Sequence, residues 1–182
     1  MNTNKHLMVD LETLSTEPNA VILTIGALWF NPSSNEDPGP GFHVRVEIDS
    51  QERHVDDDTV DWWGQQDPEV QAEAFSEQDR HPLADALKQF AKFAQGADSY
   101  WSHGTVFDIV ILENAFVEQG MRGWIPWKYH QVRDCRTVLK ISDTVMDRHS
   151  GGAHNALIDC YNQALAMQQA TFKMNLHKSQ TE

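Results

Sequence analysis

Two cysteines, Cys135 and Cys160, are too few for a disulfide framework and lack the paired spacing of a structural zinc site. A reduced, cytoplasmic setting is therefore the default expectation. No apolar run approaches the roughly 18 residues of a membrane-spanning helix, and residues 1–10 carry no charged-then-apolar leader pattern. No membrane partner is expected. Basic residues are scarce: 14 Lys and Arg stand against 27 Asp and Glu, a formal charge of −13. That balance argues against strong affinity for long nucleic-acid duplexes, because phosphate contacts need cations. Internal repeats, low-complexity tracts and long Pro/Gly/Ser linkers are also missing, so 1–182 reads as a single domain. At 40% hydrophobic residues, it can bury a core.

The scarce positive charge is unevenly placed. Residues 1–100 hold 19 acids and 6 bases, whereas residues 101–182 hold 8 of each. Arg122, Lys128, Arg133, Arg136, Lys140 and Arg148 fall in one stretch, which is either an ordinary solvated surface or the side of a substrate groove.

Alternation of apolar and polar residues predicts strands over 7–13 and 42–48, with a β-branched-rich strand over 20–30 between them. A turn-rich segment, 31–41, joins the last two, so the three strands form an antiparallel meander. The period then lengthens. A helical stretch over 59–75 is divided by Gly64 and Pro68, and clearer helices follow over 82–95 and 107–119, stopped by Gly96 and Gly120. A short strand is expected over 98–102, residues 124–140 are mixed, and a last helix covers 155–172 after a hinge-like Ser150-Gly151-Gly152. Strands first and alternating helices and strands afterwards predict an α/β fold with one mixed sheet.

The chemistry lies in the acids. Asp10 and Glu12 sit two apart on the first strand, so both carboxylates face one side. Beside apolar neighbours, two like charges need a cation between them, and hard oxygen ligands suit Mg²⁺ or Mn²⁺. The same spacing also fits two solvated acids on an edge strand. Asp108 opens a helix, where it serves equally as a cap. Asp159 lies in the last helix, five residues after His154. Five helical residues turn the two about 140° apart, so they share a target only if His154 lies on the preceding loop.

In order and context, Asp10-x-Glu12, Phe107-Asp108 and His154-x-Ala156-x-x-Asp159 resemble the DEDDh, or DnaQ-like, 3′-5′ exonucleases, across roughly residues 7–165. The segment 58–66 and the short loop after Glu12 look closest to a branch holding phage exonuclease A and a mycobacterial adenylate-preferring exoribonuclease. The resemblance implies a ribonuclease-H-like fold: the three-stranded meander plus parallel strands, flanked by helices. It implies two Mg²⁺ or Mn²⁺ ions held by Asp10, Glu12, Asp108 and Asp159, with His154 as general base. The reaction would remove nucleoside 5′-monophosphates from single-stranded DNA or RNA 3′ ends. Leu14 and Phe107 take the positions where relatives contact the terminal nucleotide. One departure is Gly104, where many relatives carry Asn, so the resemblance does not carry over the substrate contacts there, while the metal site is untouched. Related small nucleases are often homodimers.

Trp62 and Trp63 are about 100° apart on a helix, so at most one faces a substrate while packing accounts for the other or for both. His103, His130 and His149 lack metal-like spacing. The alternative function is a silent nuclease-fold scaffold that binds nucleic acid without turnover. It predicts loss of at least one of the five motif residues, and all five are present.

Overall fold

The computed structural model describes residues 5–147 and 154–179. Arg148, His149 and the Ser150–Gly152 segment lie outside the described residues. The chain opens with three strands, β1 (His6–Thr13), β2 (Ile22–Phe30) and β3 (Gly41–Val46). β2 pairs antiparallel with both neighbours, which makes the expected meander. β2 starts two residues later than its β-branched-rich run suggested, and Ala20 instead forms an isolated bridge to His54. The 59–75 region is split where Gly64 and Pro68 predict, into α1 (Asp57–Gly64) and α2 (Pro68–Ala74). α1 begins two residues earlier than expected because the Asp56 carboxylate caps it, accepting from the Thr59 amide at 3.3 Å.

β4 is a two-residue strand, Arg80–His81, too short for a periodic signal. α3 (Leu83–Ala94), β5 (Ser99–Ser102) and α4 (Asp108–Glu118) follow within a residue or two of expectation. The mixed 124–140 region resolves into two 3₁₀ turns, β6 (Val132–Asp134) and α5 (Cys135–Ile141). The last helix, α6 (Ala156–Ser179), runs seven residues past the predicted end at 172. Among the described residues no helix is long and apolar enough to cross a membrane.

The six strands form one sheet in the order β4-β3-β2-β1-β5-β6. β5 pairs parallel with β1 and β6 parallel with β5, so the antiparallel meander continues into a parallel half. Each face is covered. Leu7, Val9 and Leu11 point into a core with α3 and α4, including Leu87, Phe90, Leu112 and Phe116. Met8 points the other way, into a cluster with α5 and α6 that holds Leu139, Cys160, Ala164 and Met167. By strand alternation Asp10 and Glu12 share Met8's face, under α6.

The start of α6 is fixed by the sheet beneath it. Gly26 is the residue paired with Asp10 across the β1–β2 ladder. A Cβ on Gly26 would lie 2.3 Å from the Ala156 carbonyl carbon and 2.7 Å from the Leu157 nitrogen. Only glycine lets the helix backbone cross so near the strand. The first turn of α6 therefore rests directly beside the acidic end of β1.

Candidate active site

Asp10 and Glu12 come from the central strand, Asp108 from the first residue of α4 and Asp159 from the first turn of α6. These elements converge at the carboxyl end of β1 and β5, where ligands of α/β sheets commonly bind. Glu12 is 7% exposed and Asp108 3%, while Asp10 and Asp159 are half-buried. The Leu11 amide donates to Asp108 Oδ1 at 3.1 Å, which ties the start of α4 to β1.

His154 stands on the loop just before α6, in the left-handed region at φ 62°. Its backbone amide donates to Asp159 Oδ2 at 3.1 Å. That placement meets the condition under which residues five apart can share a target. One ligand-type atom from each of Glu12, His154 and Asp159 lies within 4.8 Å of the other two. Asn155 caps the helix beside them: its Oδ1 accepts from the Leu157 and Ile158 amides at 3.1 and 3.2 Å, and its Nδ2 donates to Glu73.

The electrostatics are those of clustered, buried carboxylates. Burial, then the charges of Asp108, Glu12 and Asp159, push the Asp10 carboxyl well above its ordinary value. Burial and the charges of Asp159 and Asp108 raise Glu12 to about 8. Asp108 is raised to about 7 by burial, against the lowering effect of the Leu11 amide. Among the described residues none of these three makes an ion pair. Clustered carboxylates with raised pKa and only oxygen donors suit a hard divalent ion such as Mg²⁺ or Mn²⁺. The residues present fit such a group.

A cleft of about 460 Å³ opens beside Glu12, lined by Leu11, Thr13, Asp56, Asp58, Trp62 and Phe107 among others. Phe107 thus reaches the cleft. Leu14 does not line it: the side chain is 6% exposed and packs below with Val21, Leu23, Trp63 and Ala74. The two tryptophans divide their tasks. Trp63 is buried and its indole N–H donates to the Thr13 carbonyl at 2.9 Å. Trp62 is 41% exposed and meets the His154 ring edge-on, with centroids 4.8 Å apart.

Gln163 escaped the sequence reading, and Arg136, named there only within a basic stretch, takes a definite place. Gln163 donates to Asp10 Oδ1 at 2.8 Å. It lies four residues after Asp159, one turn along the same face, and that spacing could have revealed it. Arg136 donates to the His103 carbonyl at 2.9 Å, and its guanidinium would be 3.3 Å from a Cβ on Gly104, whose φ is 118°. Gly104 is thus a left-handed glycine roofed by arginine. Cys135 and Cys160 are buried, their thiols pushed up first by burial and then by neighbouring carboxylates, Cys135 to about 12.

Residues 5–171 match the 3′-5′ exoribonuclease Rv2179c-like domain. An exodeoxyribonuclease of Enterobacteria phage T4 is 22% identical, over 96% of this chain and 93% of that protein. Among solved structures, exonuclease I of Methylocaldum szegediense superposes with a TM-score of 0.62 at 13% identity. That match takes in 90% of this chain and 40% of the larger enzyme, so the chain spans less than half of it. S. pombe Pop2p, in a form with Mg²⁺ and Mn²⁺ bound, superposes with a TM-score of 0.57 at 10% identity, over 90% of this chain and 81% of Pop2p. The mixed sheet flanked by helices is the ribonuclease-H-like fold these nucleases share.

Proposed function

The chain belongs to the 3′-5′ exoribonuclease Rv2179c-like family of 3′-5′ exonucleases, and from that premise we propose that it hydrolyses single-stranded DNA or RNA from the 3′ end. The observation that carries this reading is the convergence of four carboxylates and His154, from three elements and a loop, beside one open cleft. The chain, 1–182, acts in this reading as one catalytic domain, able to pair with a second copy as small nucleases often do.

Asp10, Glu12, Asp108 and Asp159 would hold two Mg²⁺ or Mn²⁺ ions, which when bound stabilise both the attacking and leaving oxygens of a phosphodiester. The metal-bound form of Pop2p supports the choice of ions. His154 takes the proton of the attacking water, a task suited to an imidazole whose ring nitrogen can accept a proton. The new P–O bond forms as the P–O3′ bond breaks. The departing O3′ takes a proton from solvent, His154 gives its own back to solvent, and the shortened strand leaves with a 3′-hydroxyl beside a nucleoside 5′-monophosphate. Trp62 holds the imidazole edge-on from the cleft side, and the hydrogen bond from the His154 amide to Asp159 keeps base and carboxylate in register. Phe107 offers the terminal base an apolar surface in the cleft, with Leu14 bracing Trp63 below it.

The test uses matched single strands labelled at the 3′ or the 5′ end, as DNA and as RNA, with Mn²⁺ or with EDTA. Metal-dependent release of mononucleotides from the 3′ end is expected, and the faster polymer names the substrate. A folded protein that cleaves neither polymer refutes the proposal and favours a binding module.

A further inference from the structure

The two flanks of the acid cluster carry opposite charge. On one side the cleft wall is acidic: Asp56 and Asp58 line it, and Asp57 and Asp61 stand on the same helix, α1. On the other side a separate groove of about 300 Å³ runs between the turn at residues 103–105, α5 and the segment 143–146. His103, Arg136, Lys140, Asp143 and Val145 are among its lining residues. His103 lines this groove and Phe107 the cleft, and the short Gly104–Phe107 turn links the two along the chain.

We propose that this second groove is the track for the phosphates upstream of the 3′ nucleotide. The inference deepens the proposed function and rests on it, because it assigns the path of the same substrate. Arg136 and Lys140 are four residues apart on α5, so they lie on one face about 6 Å apart along the helix axis. Both are exposed. Arg136 marks the end nearest the chemistry, held against Gly104 and the His103 carbonyl, and its charge acts on Asp108.

Two acids stand nearby. Asp134 is turned into the cap of α5, where it accepts from the Thr137 and Thr105 amides at 2.8 and 3.0 Å. Asp143 alone among the lining residues is a carboxylate, which leaves the groove net positive in a chain of −13. Val145, 82% exposed, gives the groove an apolar rim on which a base can rest.

The asymmetry sets a direction. A strand that continued past the acid cluster would push its phosphates against the aspartates of α1. One that ends there meets no such repulsion, and its upstream phosphates lie over Arg136 and Lys140. The charge pattern thereby selects a chain end over an internal site.

The experiment compares wild type with Lys140→Gln, Arg136→Gln and Asp143→Asn on single strands of 2 and 12 nucleotides. Turnover is followed with Mn²⁺ and binding by fluorescence anisotropy with Ca²⁺, at several salt concentrations. Lys140→Gln should raise KM several-fold on the 12-mer and far less on the dinucleotide. It should also flatten the slope of log affinity against log salt by about 0.7, the value for one single-strand phosphate contact. Asp143→Asn should lower KM on the 12-mer. Normal turnover with no length-dependent change in any of the three overturns the groove and leaves the activity standing. Conversely, weaker 12-mer binding by Lys140→Gln in a protein without turnover would keep the groove and sink the proposed activity.

Discussion

Gly26→Ala offers a sharp test of how the fold positions the chemistry, because it changes one methyl group outside the acid cluster. An ideal Cβ there sits 2.3 Å from the Ala156 carbonyl carbon, 2.4 Å from its oxygen and 2.7 Å from the Leu157 nitrogen. Carbon atoms in contact prefer about 3.5–4.0 Å, so the start of α6 must withdraw by about 1 Å or more. The obstacle is helix backbone, which cannot rotate aside. The withdrawal carries Asp159 and the adjoining His154 away from Asp10 and Glu12. Overpacking of this kind costs about 1–3 kcal/mol of stability, roughly 2–12 °C in Tm for a domain of this size. The kinetic cost should be disproportionate, because a 1 Å misplacement of reacting groups is worth about 100-fold in rate. Gly41→Ala is the control. Its Cβ would also crowd α6, but only through the Leu157 Cδ1 methyl at 2.8 Å, a side-chain end that can swing away. Single-turnover rates and thermal melts of both variants decide the matter. A Gly26→Ala protein that keeps its rate within about threefold of wild type would refute the claim that this crossing sets the catalytic geometry.

Two further outcomes follow from the same residues. In EDTA, stability should fall as pH rises from about 5 to 8: folded Glu12 and Asp108 keep protons to about 8 and 7, whereas unfolded carboxyls release theirs near 4. Across that window the unfolded chain binds fewer protons. Each pH unit crossed therefore removes about 1.4 kcal/mol at most for each retained proton, shared among carboxylates that titrate together. Mg²⁺ or Mn²⁺ should restore the melting temperature at pH 8. Asp10→Asn should raise the metal-free melting temperature at pH 8 while abolishing turnover, and a metal-free melt flat between pH 5 and 8 counts against the buried charge. Asn155→Ala should remove the α6 cap, lowering Tm by a few degrees for about 1 kcal/mol, and Asn155→Asp should recover most of that loss. Equal melts for all three proteins would sink the capping role.

What the sequence disclosed follows from the range of the signals involved. The meander and the helices at 83–94 and 108–118 carry their periodicity locally, so alternation and 3.6-residue spacing found them within a residue or two. β4 and β6 are two and three residues long and exist through parallel pairing with distant strands, which no local period encodes. The same division runs through the site. Asp10 and Glu12 share a face because a strand has period two, and that much is sequence arithmetic. Their proximity to Asp108 and Asp159 depends on the crossing of α4 and α6 over the sheet. Gly26 controls the second of these, yet a glycine within a strand suggests only that something comes near, not what. The tryptophan pair shows the opposite limit: helical geometry correctly separated the two faces, but could not say that His154 would fill the exposed one. Position on an element is therefore readable from sequence where burial follows a period. A contact between elements becomes readable only where a residue such as Gly26 has no other use. The acidic and basic flanks follow the same reasoning, since the imbalance between the two halves of the chain was visible in composition. Only the placement of α1 and α5 on either side of Asp108 turns that imbalance into a direction for a strand.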